Sequence, residues 1–309
     1  MRSSVPAHPN FNCQTLPPQD QISTRPGHRF RTNTTRMAQS FSFQQQQGGD
    51  IGIQQQKITI PNNRGEKLVG ILLETGSREL VVICHGFQSS KEGKTIASVA
   101  AALTREGIST FRFDFSGNGE SEGSFQYGNY REEADDLHAV VLYFSGIKRE
   151  ISAIIGHSKG GNVVVLYASM YHDVPMVVNV SGRFNLERGI EDRLGKDFMQ
   201  RIKNDGFIDV KDEAGNVEFR VTEESLMDRL NTDMRAACLS IDKDCRVLTV
   251  HGSEDEIIPV EDASEFAKLI PNHKLHILEG ANHGYNSHRD ELASIVLDFL
   301  RESVKQDAH

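Results

Sequence analysis

The chain has 309 residues and a formal net charge of −9, a balance that argues against nucleic acid as its main partner. Its 38% apolar content is that of a globular protein able to bury a sizeable core, and no run of about 18 apolar residues marks a membrane span. Four cysteines, Cys13, Cys84, Cys238 and Cys245, show neither zinc nor CxxC spacing; they point to a reducing compartment, with Cys238 and Cys245 read as unpaired thiols.

Residues 1–40 differ from the rest. Five arginines (Arg2, Arg25, Arg29, Arg31, Arg36) face one acid, Asp20, among prolines and hydroxyl residues without apolar periodicity. Two readings fit. An organellar transit peptide would send the protein to a plastid or mitochondrion. A disordered tail running into the Gln-rich linker "SFQQQQGGDIGIQQQ" would leave it in the cytoplasm. A secretory signal lacks its apolar core. On either reading residues 1–56 stand apart from a folded domain spanning 57–305.

From Lys57 onward regular elements follow. "KITIPN" and "KLVGILLET" read as strands around the turn "NNRG". "LVVICHG" is a continuous apolar run, the mark of a strand buried on both faces. "TIASVAAALTREG" reads as a helix and "ISTFRFDF" as a strand. "YREEADDLHAVVLYFSG" is an amphipathic helix closed by Gly146. Strand "ISAIIGH", helix "NVVVLYASMY" and strand "MVVNVSG" come next. Residues 183–244 break the alternation: charged, mostly helical in pattern, with a hairpin "FIDVKDEAGNVEFRVT" around Ala214-Gly215-Asn216. Then come strand "CRVLTVHG", helix "DASEFAKLI", strand "KLHILEG" and the closing helix "ELASIVLDFLRE". Alternating strands and helices predict an α/β fold with a mostly parallel sheet and helices on both faces. The 183–244 segment is then an insertion between the sixth and seventh sheet strands, above the strand ends.

In open parallel sheets ligands bind beyond the carboxyl ends of the strands. "GHSKG" lies there, between a buried strand and a helix. A serine on so sharp a corner needs small neighbours two residues away on each side, which Gly156 and Gly160 supply. The backbone N–H of Lys159 is then free to face an oxyanion at the helix N-terminus. A structural turn would explain G-x-S-x-G alone, but two further residues follow in order. "HGSEDEIIP" presents Asp255 past one strand and "EGANHGY" presents His283 past the last. Serine, acid, histidine, each at a strand end, is the order of a hydrolase triad. Ser158 is therefore read as nucleophile.

These motifs resemble the α/β-hydrolase superfamily over about residues 57–305, and within it the serine-aminopeptidase (S33)-type and acylglycerol-lipase-like group. "HGFQSSK" resembles that group's oxyanion loop and "DFSGNGESEG" its D-x-x-G-x-G-x-S-x-G stretch. "HGSEDEIIPVEDA", "LHILEGANHGY" and the hairpin-bearing insertion look most like cinnamoyl (feruloyl) esterases. The resemblance implies Ser158 as nucleophile, His283 as base, Asp255 as orienting acid, and oxyanion donors from the backbones of Phe87 and Lys159. It implies no metal or organic cofactor and a small-molecule acyl ester as substrate. Lys159 departs from the pattern, since Gln, Met or Leu commonly follows the nucleophile. Its ammonium either reaches solvent or pairs with a carboxylate.

Other polar residues are weighed against this set. His85 and His251, each before a glycine, are expected to orient loops, and His276 to pack or face solvent. Glu254 is the alternative acid. Ser121 and Glu122 read as loop structure; "SGNGESEG" is no phosphate loop, lacking Gly-Lys-Ser/Thr and a following helix. The expected activity is carboxylic-ester hydrolysis, with 183–244 capping the pocket. Acylglycerol lipase or peptidase activity are the rivals within the fold. A slow-turnover receptor is the rival outside enzymes, disfavoured because such receptors carry a four-helix lid rather than a hairpin.

Overall fold

The computed structural model describes residues 53–306; the Arg-rich segment, its two readings and Cys13 lie outside the described residues. Strands β1 (Gln54–Pro61), β2 (Lys67–Glu74) and β3 (Glu79–Cys84) lead into helix α1 (Lys94–Arg105) and strand β4 (Ser109–Phe113). Helix α2 (Tyr130–Gly146), strand β5 (Glu150–His157), helix α3 (Lys159–Tyr171) and strand β6 (Met176–Val180) follow. The insertion holds α4 (Ile190–Leu194), α5 (Phe198–Asp205), the hairpin β7 (Phe207–Lys211) and β8 (Val217–Thr222), α6 (Glu223–Asn231) and α7 (Met234–Ser240). Strand β9 (Arg246–Gly252), helix α8 (Glu261–Leu269), strand β10 (His273–Leu278) and helix α9 (Arg289–Gln306) complete the chain. No described helix is long and apolar enough to cross a membrane.

The main sheet has eight strands in the order β1-β2-β4-β3-β5-β6-β9-β10. β2 runs antiparallel to both β1 and β4, and from β4 to β10 every neighbour is parallel. Alternation along β3 shows why its sequence is apolar throughout. Leu80, Val82 and Cys84 face α2, α3 and α7 in one core, while Val81 and Ile83 face α1 and α9 in the other. All five side chains are fully buried, as a two-faced strand requires. The chain leaves β3 toward β4 on one side and returns to β5 on the other, so the crevice between β3 and β5 is the topological switch point where such folds bind ligands.

Two boundaries differ from the sequence expectation. β1 begins at Gln54 rather than Lys57, drawing three glutamines of the expected linker into the sheet. It is an edge strand whose residues are mostly exposed, and an edge tolerates polar side chains because only one side pairs. At the other end α9 runs to Gln306, one residue past 305. The expected hairpin forms: Gly215 takes a positive φ of 85° at its turn.

Candidate active site

Ser158 sits alone between β5 and α3, with φ 56° and ψ −120°. A non-glycine residue in that region stores strain of about 1–3 kcal/mol, tolerated only where the surroundings hold it. They do so by backbone bonds: Ser158 N–H donates to Val180 O at 2.8 Å, and Gly161 N–H to Ser158 O at 2.9 Å. The flanking glycines are sterically required. A Cβ on Gly156 would come within 2.0 Å of Gly160 O, and one on Gly160 within 2.5 Å of His85 O. Two residues before the serine the obstacle is helix α3; two after, it is the end of β3.

Two loops converge on this corner. His283, after β10, brings Nε2 to 3.0 Å from Ser158 Oγ, and its Nδ1 lies 2.8 Å from Asp255 Oδ2, after β9. Glu254, the alternative acid, is exposed and makes no bond to His283. Asp255 Oδ1 accepts the N–H groups of Ile257 and Ile258 at 2.9 and 2.8 Å, and its side chain is wholly buried. Burial alone would raise its pKa, but the hydrogen bonds from His251, His283 and Ile258 outweigh burial and hold the carboxyl far below the ordinary range. An ionised Asp255 fixes the His283 proton on Nδ1 and leaves Nε2 free to accept from Ser158 Oγ–H.

The histidine loop is itself pinned. His157 Nε2–H donates to His283 O at 2.8 Å, Thr95 Oγ1 donates to Gly284 O at 2.9 Å, and the Tyr285 hydroxyl bonds Ser181 Oγ and Val250 O. Burial, with the neighbouring His283 ring, pushes the pKa of His157 down to about 4, so its ring stays neutral and a donor. Sequence reasoning passed over His157 because only its partner's backbone identifies its task.

His85 plays the loop-orienting part expected of it. Phe115 N–H donates to its Nε2 at 3.1 Å, which puts the proton on Nδ1, and Nδ1 donates to Gly86 O at 2.8 Å. Burial lowers its pKa to about 4 and preserves that tautomer. The loop so held carries Phe87, whose N–H has no backbone acceptor among the described residues. Lys159 is the first residue of α3, where a helix has no internal acceptor for the N–H. Both line the same cavity as Ser158 and His283. His251 likewise bonds locally, to Ile258 O at 3.0 Å and to Asp255 Oδ2 at 3.3 Å. His276 is half-buried on β10. Ser121 Oγ donates to Asp114 O within their loop, and Glu122 accepts from Lys67 at the start of β2.

Of the two fates open to Lys159, the structure takes the carboxylate. Its Nζ lies 2.6 Å from Glu133 Oε1, both side chains almost fully buried, and 5.0 Å from the centre of the Tyr130 ring. Burial drives the Glu133 pKa up to about 7 against the pull of Lys159. In the sequence Glu133 is one of several acids in "YREEADD"; the meeting of α2 and α3 is what places it inward.

The cavity at Ser158 measures about 210 Å³. The insertion gives its wall Arg183, at its start after β6, and Gly189, Arg193 and Arg229. A larger depression of about 650 Å³ shares Arg183, Gly189 and Ile257 with it and is lined further by Ile190, Phe198 and Met199. The Phe87 ring packs edge-on against Phe125, Tyr127 and Phe219, which ties the loop after β3 to the insertion's hairpin. Cys84, Cys238 and Cys245 are all free thiols.

A model of the family described as serine aminopeptidase, S33, matches residues 75–234. Among solved structures the chain is similar to Est1E from Butyrivibrio proteoclasticus with ferulic acid bound. That likeness has a TM-score of 0.71 and 25% identity, over 80% of this chain and 99% of that one. The α/β hydrolase GrgF from Penicillium sp. sh18 gives a TM-score of 0.69 at 20% identity, over 81% and 99% of the two chains. The esterase Pf2001 of Pyrococcus furiosus gives 0.61 at 22%, over 81% and 90%; these two likenesses concern the fold. An uncharacterized protein of Saccharomyces cerevisiae, YDL057W, is 24% identical over 230 residues, 67% of this chain and 69% of its own length.

Proposed function

The chain belongs to the serine aminopeptidase S33 family of α/β hydrolases, and from that premise we propose that it cleaves carboxylic esters through an acyl-enzyme on Ser158. The observation that carries this reading is the continuous chain Ser158 Oγ, His283, Asp255 at 3.0 and 2.8 Å, mounted on a strained corner. His283 Nε2 takes the hydroxyl proton as Oγ attacks the acyl carbonyl, and Asp255 stabilises the imidazolium. The amides of Phe87 and Lys159 receive the tetrahedral oxyanion, each contributing about 3 kcal/mol to the barrier reduction. Collapse passes the proton from His283 to the leaving alcohol; water, deprotonated by the same nitrogen, then releases the acid and restores Ser158.

Ester rather than peptide substrates are favoured by the likeness to Est1E, whose structure holds ferulic acid. Residues 183–244 act as the cap that shapes the pocket, and the segment before β1 stands outside the catalytic domain as a tail or an organellar address. The test is turnover of a panel: aryl acetates, methyl ferulate, a monoacylglycerol and an aminoacyl anilide. Ester cleavage with little anilide cleavage supports the reading. Anilide cleavage outrunning every ester would make the chain a peptidase, and binding without turnover a receptor.

A further inference from the structure

Three guanidinium groups line the small cavity at Ser158, and its lining contains no acid. Lys159 is occupied by Glu133, but Arg183, Arg193 and Arg229 have no carboxylate within ion-pair distance among the described residues. Arg229 is 7% exposed and spends two donors on Leu186 O and Arg188 O. Arg183, half-buried, gives one Nη to Ile257 O at 2.6 Å. Arg193 is exposed; its guanidinium lies over the Phe87 ring at 4.4 Å and makes no hydrogen bond to another described residue. Burial and the neighbouring Arg229 charge both lower the pKa of Arg183. Each arginine therefore brings uncommitted donors to one cavity, at a cost in mutual repulsion that an anion would relieve. The adjoining depression is different: its Arg183 and Arg188 are balanced by Glu187, Glu191 and Asp192 beside an apolar wall. Positive charge is concentrated where the serine is.

We propose that the cavity at Ser158 receives an oxyanion of the substrate: the ester carries, away from its scissile carbonyl, a carboxylate or phosphate held by Arg193, Arg183 and Arg229. This rests on Ser158 as the nucleophile for its catalytic meaning, but the anion site can be tested without turnover. Arginine suits the task because its planar fork matches such an anion and remains charged at any working pH. The Arg193 guanidinium lies over the ring of Phe87, the residue that also offers the oxyanion amide. An anion on Arg193 would thus be aligned by the same loop that receives the developing charge.

The experiment is calorimetric titration of the full-length Ser158→Ala protein with amide analogues that an esterase does not turn over. 4-Acetamidobenzoate and 4-acetamidophenyl phosphate place the anion on the alcohol side, adipic acid monoamide places it on the acyl side, and 4-acetamidobenzamide and adipamide are the neutral controls. At least one anion should bind about tenfold tighter than its control, or about 1.4 kcal/mol, and its identity assigns the group and the side. The preference should shrink in high salt. Arg193→Gln should lower it below about threefold while Arg193→Lys retains part of it; Arg193 is exposed, and an unchanged Tm shows that the fold is kept. Neutral and anionic ligands binding equally, or a preference that survives both Arg193→Gln and Arg183→Gln, overturns the proposal. Loss of the Ser158 assignment would appear in active-site labelling and leave these titrations standing.

Discussion

The cavity at Ser158 has two walls built on different kinds of structure. The sheet side carries Ser158 and Asp255 on turns that leave the buried strands β5 and β9, and His283 after the edge strand β10, whose Leu278 joins one of the two large cores. The insertion side carries Arg193 and Arg229 on short helices over a small core in which Leu194, Ile208, Phe219 and Leu226 pack with Tyr127 from the loop before α2. The first wall is set by backbone geometry that leaves little choice of residue. The second is set by side-chain packing, which tolerates many solutions. On the proposed function, chemistry belongs to the sheet and selectivity to the insertion, and substitutions should separate along that line.

The largest effect is expected on the sheet wall. Ser158→Ala should lower kcat on an aryl acetate by on the order of 10⁶ while the melting temperature is retained or raised, because the strain at φ 56° is eased or unchanged. Next, Asp255→Asn should cost on the order of 10⁴ in kcat, whereas Glu254→Gln should leave it within about twofold; a reversed ranking would move the acid to Glu254.

Smaller changes test the support beneath that wall. Lys159→Met keeps the backbone N–H but strands Glu133, so stability should fall by up to about 3 kcal/mol, and the double variant Lys159→Met/Glu133→Gln should recover much of the loss. Glu133 titrates at about 7 in the fold against an ordinary 4.5. Between those values the folded chain keeps a proton that the unfolded chain has released, so its contribution to stability is lost as pH rises through the window. Glu133→Gln removes this slope: the difference in Tm, variant minus wild type, should grow from about pH 5 to about pH 7.5 by a few degrees, since each kcal/mol moves Tm by about 2–4 °C in a domain of this size. A difference that is flat with pH would show that Glu133 is ionised throughout. The smallest effect is expected from deleting residues 1–50, which should leave kcat and Tm within error, because β1 begins at Gln54 and every candidate site residue lies beyond it. A reporter fused to residues 1–50 separates organellar import from a tail without an address.

The contrast also explains what could be read from sequence. Gly156, Ser158 and Gly160 are legible because any Cβ at the flanking positions would collide with backbone, so the turn itself dictates the letters. Asp255 and His283 are legible because strand ends are visible as ends of apolar runs. Glu133 and the Lys159 ammonium meet across 26 positions, through two helices whose relative rotation no local pattern encodes. Arg183, Arg193 and Arg229 look like solvated charges in an already charged segment, and only the insertion's packing turns them toward Ser158. Gln54 to Gln56 misled in the opposite way: a low-complexity run reads as linker, yet an exposed edge strand accepts it.

The most direct test is covalent. The wild-type protein should be treated with a fluorophosphonate, digested, and the adduct located by peptide mass spectrometry. A single adduct on Ser158, formed in step with the loss of ester turnover and absent from Ser158→Ala, is the predicted result. An adduct on another residue, or turnover that persists while Ser158 is modified, would contradict the account.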